Sequence, residues 1–190
     1  MNPIRFAVAG ALALASLAFP ALAAEDDFLT IQLKDGPVVL ELLPEVAPKH
    51  VAQIKKLAAE GEYDNVAFHR VIEGFMAQTG DVEFGDMEEG FDPNRAGTGG
   101  SELPDLPAEF SDLPFERGTV GMARSQDPDS ANSQFFIMFD EGSFLNGQYT
   151  VVGKVVSGME NVDKIKRGEG GNGEVADPDR MIEVTVGKPN

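Results

Sequence analysis

A series of short apolar runs separated by turn residues constrains the fold of this chain more than any other feature. The runs are rich in Val, Ile and Phe, and Gly, Pro, Asp or Asn residues stand between them. Many short strands of this kind, with few helices, are typical of an all-β sandwich or barrel. The predicted strands cover 28–33, 38–43, 66–72, 75–78, 118–123, 134–139, 151–156 and 181–186.

Some of the connections carry further local signals. Asp35-Gly36, between the first two runs, predicts a hairpin because its turn needs a positive φ angle. Apolar residues at helical spacing predict a helix over 48–60, and Gly61 can supply its left-handed stop. Val162 and Ile165 predict a short second helix that ends near residue 168. The glycines and aspartates of 168–179 indicate a mobile loop.

The segment 1–23 is expected to be a secretory signal peptide. Arg5 is its only ionisable side chain, an apolar run covers 6–19, and Ala21 and Ala23 place small residues at the cleavage positions. This layout predicts one mature domain at 24–190, without stable membrane insertion after cleavage. The periplasm is the expected destination and secretion the alternative. The rival interpretation is an uncleaved leader that anchors the chain, since the apolar stretch is almost long enough to span a membrane.

Composition limits what the chain can bind. With 190 residues, of which 42% are hydrophobic and 25% charged, the chain suits one compact domain. Its formal net charge of −17 repels phosphate backbones, so nucleic acid is not an expected partner. The absence of Cys excludes a cysteine nucleophile, a disulfide and a lipoprotein attachment site.

Other catalytic and metal-binding patterns are weak or absent. The two histidines, His50 and His69, do not have a metal-site spacing, and the chain has no GxSxG nucleophile elbow. A literal GxGxxG at 168–173 follows a helix rather than a strand, so it is interpreted as a loop and not as a dinucleotide site. The run at 127–132 lacks the glycine and glutamate of a calcium loop. No metal or cofactor is expected.

Two segments carry a more specific signal. The first, 68–81, reads FHRVIEGFMAQTGD and sets Arg70 among aromatic and apolar residues, with Gln78 close behind. The second, 122–137, reads MARSQDPDSANSQFFI. Together with GTGGS at 97–101, they resemble the cyclophilin family of peptidyl-prolyl cis–trans isomerases. The resemblance extends from about residue 27 to about residue 186.

The resemblance implies a fold, an activity and a site. The fold is expected to be mainly β, a closed eight-stranded antiparallel β-barrel capped by two α-helices. The expected activity is isomerisation of X–Pro bonds in unfolded or partly folded polypeptides, by a monomer. Arg70 is the implied catalytic residue and His69 a supporting one. The implied substrate-binding residues are Phe75, Met76, Gln78, Met122, Ala123, Gln134, Phe136, Phe144, Leu145 and Tyr149.

Prolyl isomerisation suits residues of these types. Rotation about the X–Pro bond faces a barrier of roughly 18–20 kcal/mol. An apolar pocket removes the water that favours the charge-separated planar amide. A fixed donor aimed at the prolyl nitrogen stabilises the lone pair that forms as the bond twists, so it acts mainly on the transition state. Arginine fits this role because it stays protonated and carries several N–H groups in a rigid fork.

Strand parity adds expectations about the aromatic residues. Phe68 is expected to belong to the core. Phe135 and Phe136 are expected to lie on opposite faces of their strand, one in the core and the other in the site. Phe75 and Gln78 are three positions apart and cannot share one face of a flat strand, so a bulge or sharp twist is expected near the glycine that precedes them.

Four positions depart from the family pattern. Glu73 replaces the usual proline of the turn, and Arg124 replaces an asparagine beside the substrate groove. Phe144 and Tyr149 stand where many members carry tryptophan and histidine. The aromatic wall is kept, so activity is expected to survive. Loss of the indole N–H removes a donor that holds cyclosporin in sensitive members, so weak cyclosporin binding is expected. The cation at Arg124 is expected to alter the preference for residues near the proline.

Several alternatives stay open at this point. A proline-peptide binding module or holding chaperone has the pocket without turnover, and a lipocalin-like carrier of small hydrophobic ligands needs an empty barrel interior. The acidic segment 81–95 looks like an insertion in the family pattern. It is interpreted as an extended loop, with contact to a partner as the alternative.

Overall fold

The structure is a computed structural model that describes residues 24–189 and shows a curled antiparallel sheet with two helices. The signal peptide expected at 1–23 lies outside the described residues. The eight strands found within 24–189 are β1 (Phe28–Leu33), β2 (Gly36–Leu42), β3 (Arg70–Ile72), β4 (Met76–Thr79), β5 (Thr119–Met122), β6 (Phe135–Met138), β7 (Val151–Ser157) and β8 (Glu183–Val186).

The sheet is a curled half-barrel rather than the closed barrel expected from the sequence. Its strand order is β3-β4-β6-β5-β7-β2-β1-β8, so β3 and β8 are edges that do not pair as strands within the described chain. The segments that precede these two edge strands meet instead. Ala67 and Arg180 form an isolated bridge, and the Phe68 N–H donates to the Asp179 carbonyl at 2.8 Å.

The predicted strand at 66–72 is therefore shorter than expected. Its first residues are fully buried, but their backbone groups bond to loops: the Ala67 N–H donates to the Gly85 carbonyl at 2.8 Å. Regular pairing begins only at Arg70, where β4 runs alongside.

The predicted β1–β2 hairpin is confirmed, with Leu33 paired to Gly36. Gly36 has a φ of 133°, and a Cβ atom there would lie 2.8 Å from Nδ2 of Asn161. Glycine is needed at this position for the backbone conformation and for the close approach of the 158–162 region.

The predicted first helix is confirmed as α1 (Pro48–Ala59), and its end is marked by Gly61 at a φ of 78°. Proline suits its first turn because that N–H has no partner within the helix. The Glu109 carboxylate accepts the next free N–H groups, from Lys49 and His50. The second helix, α2 (Met159–Val162), ends earlier than the expected end near residue 168.

Two apolar clusters form on the two faces of the sheet. The larger one fills its interior and includes Phe68 and Phe135, whose ring meets Tyr63 edge-on at 5.6 Å. Within the described chain, side chains therefore occupy the space that a lipocalin-like carrier would need. The smaller cluster contains Phe136 and Leu145. The core position of Phe68 and the opposite faces of Phe135 and Phe136 are confirmed.

No helix among the described residues has both the length and the apolar character to cross a bilayer.

Candidate active site

Three neighbouring strands bring Arg70, Gln78 and Phe136 side by side. Arg70 of β3 is opposite Gln78 of β4, and Gln78 is opposite Phe136 of β6. Residues directly opposite one another in antiparallel strands project from the same face of the sheet. Met76, two positions before Gln78, projects from that face as well. Strand pairing thus gathers a donor, an amide and two apolar side chains on one surface.

Phe75 reaches the same surface from a turn. Its N–H donates to the Ile72 carbonyl at 3.1 Å, and Gly74 beside it has a φ of 68°. The β3–β4 register runs without interruption, so the bulge is wrong as one of the two expected distortions, a bulge or a sharp twist. Instead, Phe75 lies in a tight turn just before the first residue of β4. The alternation of side chains along β4 therefore does not apply to Phe75, and its ring can reach the same surface as Gln78.

These side chains enclose a pocket of about 300 Å³. All the substrate-binding candidates except Met122 and Gln134 line this pocket together with Arg70. Its lining residues are Arg70, Phe75, Met76, Gln78, Ala123, Arg124, Phe136, Phe144, Leu145 and Tyr149. Seven of its ten lining residues are therefore apolar or aromatic, and two arginines and one amide side chain supply the polar part of the wall.

Aromatic contacts hold the wall in place. The Phe136 ring stacks on Phe115 with centroids 5.7 Å apart and meets Tyr149 edge-on at 5.9 Å. Phe75 and Phe144 lie 5.4 Å apart at the opening, where Phe144 is 64% exposed. Pairs of this geometry contribute about 0.5–1.5 kcal/mol beyond their buried area. Phe136 is thus a fixed wall, whereas Phe144 is an exposed rim.

Gly121 and Phe115 are site residues that the sequence reasoning missed. A Cβ atom on Gly121 would lie 2.5 Å from the Phe115 ring and 2.6 Å from the Phe136 ring. Only glycine leaves room for both rings to stack beneath the pocket. The sequence held one usable signal, since a glycine inside a strand indicates a close approach by other groups.

Two acceptors orient the Arg70 guanidinium. Nε donates to the Asn172 carbonyl at 2.9 Å, and Nη1 donates to Oε1 of Gln78 at 3.2 Å. Partial burial lowers the pKa of Arg70, but an arginine remains protonated under all ordinary conditions. Nη2 has no hydrogen-bond partner among residues 24–189 and is free to donate to a ligand.

A chain of amides fixes Gln78 in turn. Its Nε2 donates to Oε1 of Gln134 at 3.0 Å, and Nε2 of Gln134 donates to the Gly99 carbonyl at 2.8 Å. Gln134 lies in a neighbouring pocket of about 400 Å³, which shares Gln78, Ala123 and Arg124 with the first. Gln134 therefore supports the site from the side instead of lining the apolar pocket.

The carbonyl that orients Arg70 belongs to the glycine-rich segment 168–173. This segment is the first part of the loop 168–179, and its backbone is bonded to β3: the Gly168 N–H donates to the Val71 carbonyl, and the Val71 N–H donates to the Gly173 carbonyl. Gly173 has a φ of 72°, and a Cβ atom there would collide with the Ile72 side chain. Close packing thus explains two glycines of the GxGxxG pattern: Gly173 lies against the strand of Arg70, and Gly168 lies against the backbone of Gly173.

Substituting Gly173 by Ala is expected to lower kcat/KM about 10- to 100-fold, because a shift of the loop moves the carbonyl that holds Nε of Arg70. The left-handed φ angle also costs alanine about 1–2 kcal/mol. The measurement is X–Pro exchange by NMR, with Gly171→Ala as the matched control, since a Cβ atom at Gly171 meets nothing within 4 Å. An effect of equal size in an Arg70→Ala background would show that the loop does not act through Arg70.

Besides Gln134, two predicted residues lie outside the pocket, Met122 and His69. Met122 is 1% exposed and packs in the interior cluster, so its assignment to the substrate surface is wrong. On β5 the alternation directs Met122 inward and Gly121 toward the site. The buried His69 ring has no hydrogen-bond partner for either nitrogen within the described residues, and burial lowers its pKa. Any support from His69 comes through packing, for its ring lies against Gly97.

The sequence matches the family model for cyclophilin type peptidyl-prolyl cis-trans isomerase/CLD over residues 28–186. A probable peptidyl-prolyl cis-trans isomerase of Brucella suis biovar 1 is 64% identical over 191 residues, which cover 98% of this chain and 97% of that protein. Peptidyl-prolyl cis-trans isomerase B of Bacillus subtilis is 40% identical over 140 residues, which cover 72% of this chain and 89% of that protein.

Solved structures agree with this match. A cyclophilin from Hirschia baltica superposes with a TM-score of 0.71 at 27% identity, covering 86% of this chain and 75% of that one. A Cryptosporidium parvum cyclophilin type isomerase, crystallised in the presence of the dipeptide Ala-Pro, superposes with a TM-score of 0.72 at 27% identity, covering 85% of this chain and 99% of that one. This chain belongs to the cyclophilin-type peptidyl-prolyl cis–trans isomerases.

Proposed function

We propose that this isomerase rotates X–Pro bonds in exported, unfolded or partly folded polypeptides by means of the Arg70 pocket. The observation that carries the proposal is the position of the Arg70 guanidinium. Two acceptors hold it in the pocket that Phe136 and Met76 line, and Nη2 has no partner in the described part of the chain. The Ala-Pro dipeptide present with the Cryptosporidium relative supports proline-containing peptides as substrates.

The proposed mechanism needs no covalent step. The proline ring enters the apolar pocket beside Phe136 and Leu145, where little water remains to favour the planar amide. As the bond twists, the prolyl nitrogen gains a lone pair, and Arg70 donates an N–H to it. Such a donor is worth about 2.7–4 kcal/mol in other enzymes, a useful part of a barrier of roughly 18–20 kcal/mol. The hydrogen bond between the Gln78 and Gln134 amides fixes the position of the Arg70 donor relative to the substrate backbone.

The rival function is a binding module or holding chaperone that has the pocket without turnover. A protease-coupled assay on an Ala-Pro peptide separates the two. An exchange rate that rises in proportion to protein concentration supports the isomerase mechanism. Saturable binding of the peptide without any acceleration supports the binding module instead.

Cyclosporin is expected to bind this protein weakly. Phe144 replaces the tryptophan that donates an N–H in sensitive members, and a phenyl ring has no donor to offer. Isothermal calorimetry checks this, with Phe144→Trp as the partner variant, which is expected to bind more tightly. A tight complex with the wild type would contradict the expectation.

We also propose that the protein acts in the periplasm as a monomer after removal of residues 1–23. The leader pattern supports export, with secretion or membrane anchoring as the alternatives. Mass spectrometry of the protein from a periplasmic fraction tests the cleavage, and a mass that retains the leader would favour the anchored form. Size-exclusion chromatography with light scattering measures the mass in solution and so tests whether the protein is a monomer.

A further inference from the structure

The active site carries only positive charge on an otherwise acidic protein. The chain has 32 acidic and 15 basic side chains. Nevertheless, the ionised side chains that line the 300 Å³ pocket are Arg70 and Arg124. In the neighbouring 400 Å³ pocket the ionised side chain is Arg124. The Asp and Glu side chains gather elsewhere, as in a cleft of about 450 Å³ that includes Glu60, Glu83 and Asp86.

Arg124 is held by neutral groups, so its charge is not cancelled. Its Nη atoms donate to the carbonyls of Ser125 at 2.8 Å and Gln148 at 2.9 Å, and its guanidinium lies 4.4 Å above the Tyr149 ring. Its Nε is buried and has no hydrogen-bond partner among the residues that the structure describes. Arg124 takes part in no ion pair within the described chain, in which most other arginines do.

The acids nearest to Arg124 in sequence are engaged in other contacts. Asp127 accepts the Asp129 N–H at 2.9 Å, and Asp129 accepts the Ala108 N–H at 2.8 Å. The Asp127 carboxylate thus bonds within the 125–130 turn, the Asp129 carboxylate joins this turn to Ala108, and neither forms an ion pair with Arg124 within residues 24–189. A cation without a carboxylate partner, partly buried on an aromatic ring, favours an incoming anion.

The two pockets share a boundary formed by Gln78, Ala123 and Arg124. A peptide whose proline occupies the smaller pocket has to pass this boundary to reach the larger one. The residue that enters the larger pocket therefore meets Arg124 first. We infer that Arg124 selects X–Pro segments carrying an Asp or Glu beside the proline, on the side that faces the larger pocket. This inference rests on the proposed function, since it needs proline in the smaller pocket.

The test compares peptides that differ in one charge. Each contains a single Glu, Gln or Lys at one of the two positions before or the two after the proline. NMR exchange measures kcat/KM directly, so no coupled protease adds its own preference. In the wild type, one position is expected to favour Glu over Lys about fivefold, as a partly exposed ion pair allows. In Arg124→Gln this ratio is expected to fall to about one.

Two further variants separate the effect of the Arg124 charge from that of its guanidinium shape and from that of the net charge of the protein. Arg124→Lys keeps the charge and is expected to retain part of the Glu preference, although it loses the guanidinium fork. Lys164→Gln removes one positive charge away from both pockets and is expected to leave the ratio unchanged. A ratio that is the same in wild type and Arg124→Gln, or that falls equally in Lys164→Gln, overturns the inference. Failure of wild type to exchange even the Gln peptides would overturn the proposed function instead.

Discussion

Replacing Arg70 by Ala is expected to lower kcat/KM for X–Pro rotation about 100- to 1000-fold. Removal of one preorganised transition-state donor costs about this much in other enzymes. In this protein the donor is held by the Asn172 carbonyl and by Gln78, so it does not have to be ordered during the reaction. NMR exchange on an Ala-Pro peptide measures the loss, because the method still reports slow rates.

The same variant is expected to bind the peptide almost as well as the wild type. The walls that contact the proline ring, among them Phe136 and Leu145, remain in place. A fall in kcat without a matching rise in the dissociation constant identifies an interaction made mainly in the transition state. A titration followed by chemical-shift changes measures the affinity. Equal exchange rates for wild type and Arg70→Ala would remove Arg70 from the mechanism.

Arg70→Lys serves as the matched control for charge. Lysine keeps the positive charge but has one flexible ammonium group, which cannot bond Asn172 and Gln78 and still present a free donor in the same plane. We therefore expect a rate between those of the wild type and Arg70→Ala. Because Arg70 is only partly buried, both variants are expected to melt close to the wild type. A large fall in melting temperature would mean that the rate loss reflects unfolding.

The part of the site that the sequence predicts best is the part built from strands. Arg70, Met76 and Gln78 lie within one short hairpin, where alternation decides which side chains share a face. The same rule separates Phe135 from Phe136. Parity was misleading only where the strand had not begun, as at Phe75 in the turn. Alternation also explains why the assignment of Met122 to the substrate surface is wrong, since along β5 it directs that side chain into the core.

The features that could not be predicted depend on contacts between distant segments. The carbonyl that orients Arg70 comes from Asn172, and the ring beneath the pocket comes from Phe115. No local periodicity connects either residue to the hairpin. The open edges of the sheet also depend on contacts between distant segments. The resemblance gives the number of strands, but it does not give the residue at which regular pairing stops. In this chain the segments around Ala67 and Arg180 bond to loops and to each other instead of continuing β3 and β8.

Asp81 shows that the acidic segment 81–95 is built around a structural contact. Its carboxylate is fully buried and accepts four backbone N–H groups. Oδ1 binds the Glu83 and Phe84 N–H groups, and Oδ2 binds those of Gly97, at 2.6 Å, and Gly99, at 3.0 Å. This side chain therefore joins the start of the segment to the GTGGS run. These contacts favour the interpretation of the segment as a folded loop.

Asp81 also reaches the active site through Gly99. The Gly99 carbonyl accepts from Gln134, which accepts from Gln78, which accepts from Arg70. A shift of the 97–99 backbone would loosen this chain of amides. Substitution of Asp81 is therefore expected to lower activity as well as stability, although the carboxylate itself lines neither pocket.

Replacing Asp81 by Ala is expected to lower the free energy of unfolding by about 3–5 kcal/mol. The change leaves buried N–H groups without an acceptor, and hydrogen bonds to a charged group are worth about 1.5–3 kcal/mol each, with incomplete additivity. Urea unfolding followed by circular dichroism measures the difference. Asp81→Asn is expected to lose less, since its amide keeps one oxygen to accept two of the four N–H groups.

Asp86 provides the matched control in the same segment. Its Oδ1 accepts the N–H groups of Glu88 at 2.7 Å and Glu89 at 3.1 Å, which repeats the local pattern of Asp81 without any bond to a distant loop. Asp86→Ala is therefore expected to lower the free energy of unfolding by only about 1 kcal/mol, as the loss of an exposed helix cap does. If the two alanine variants lost the same stability, the bonds from Asp81 to Gly97 and Gly99 would contribute nothing. The destabilisation would then be a property of the local turn alone.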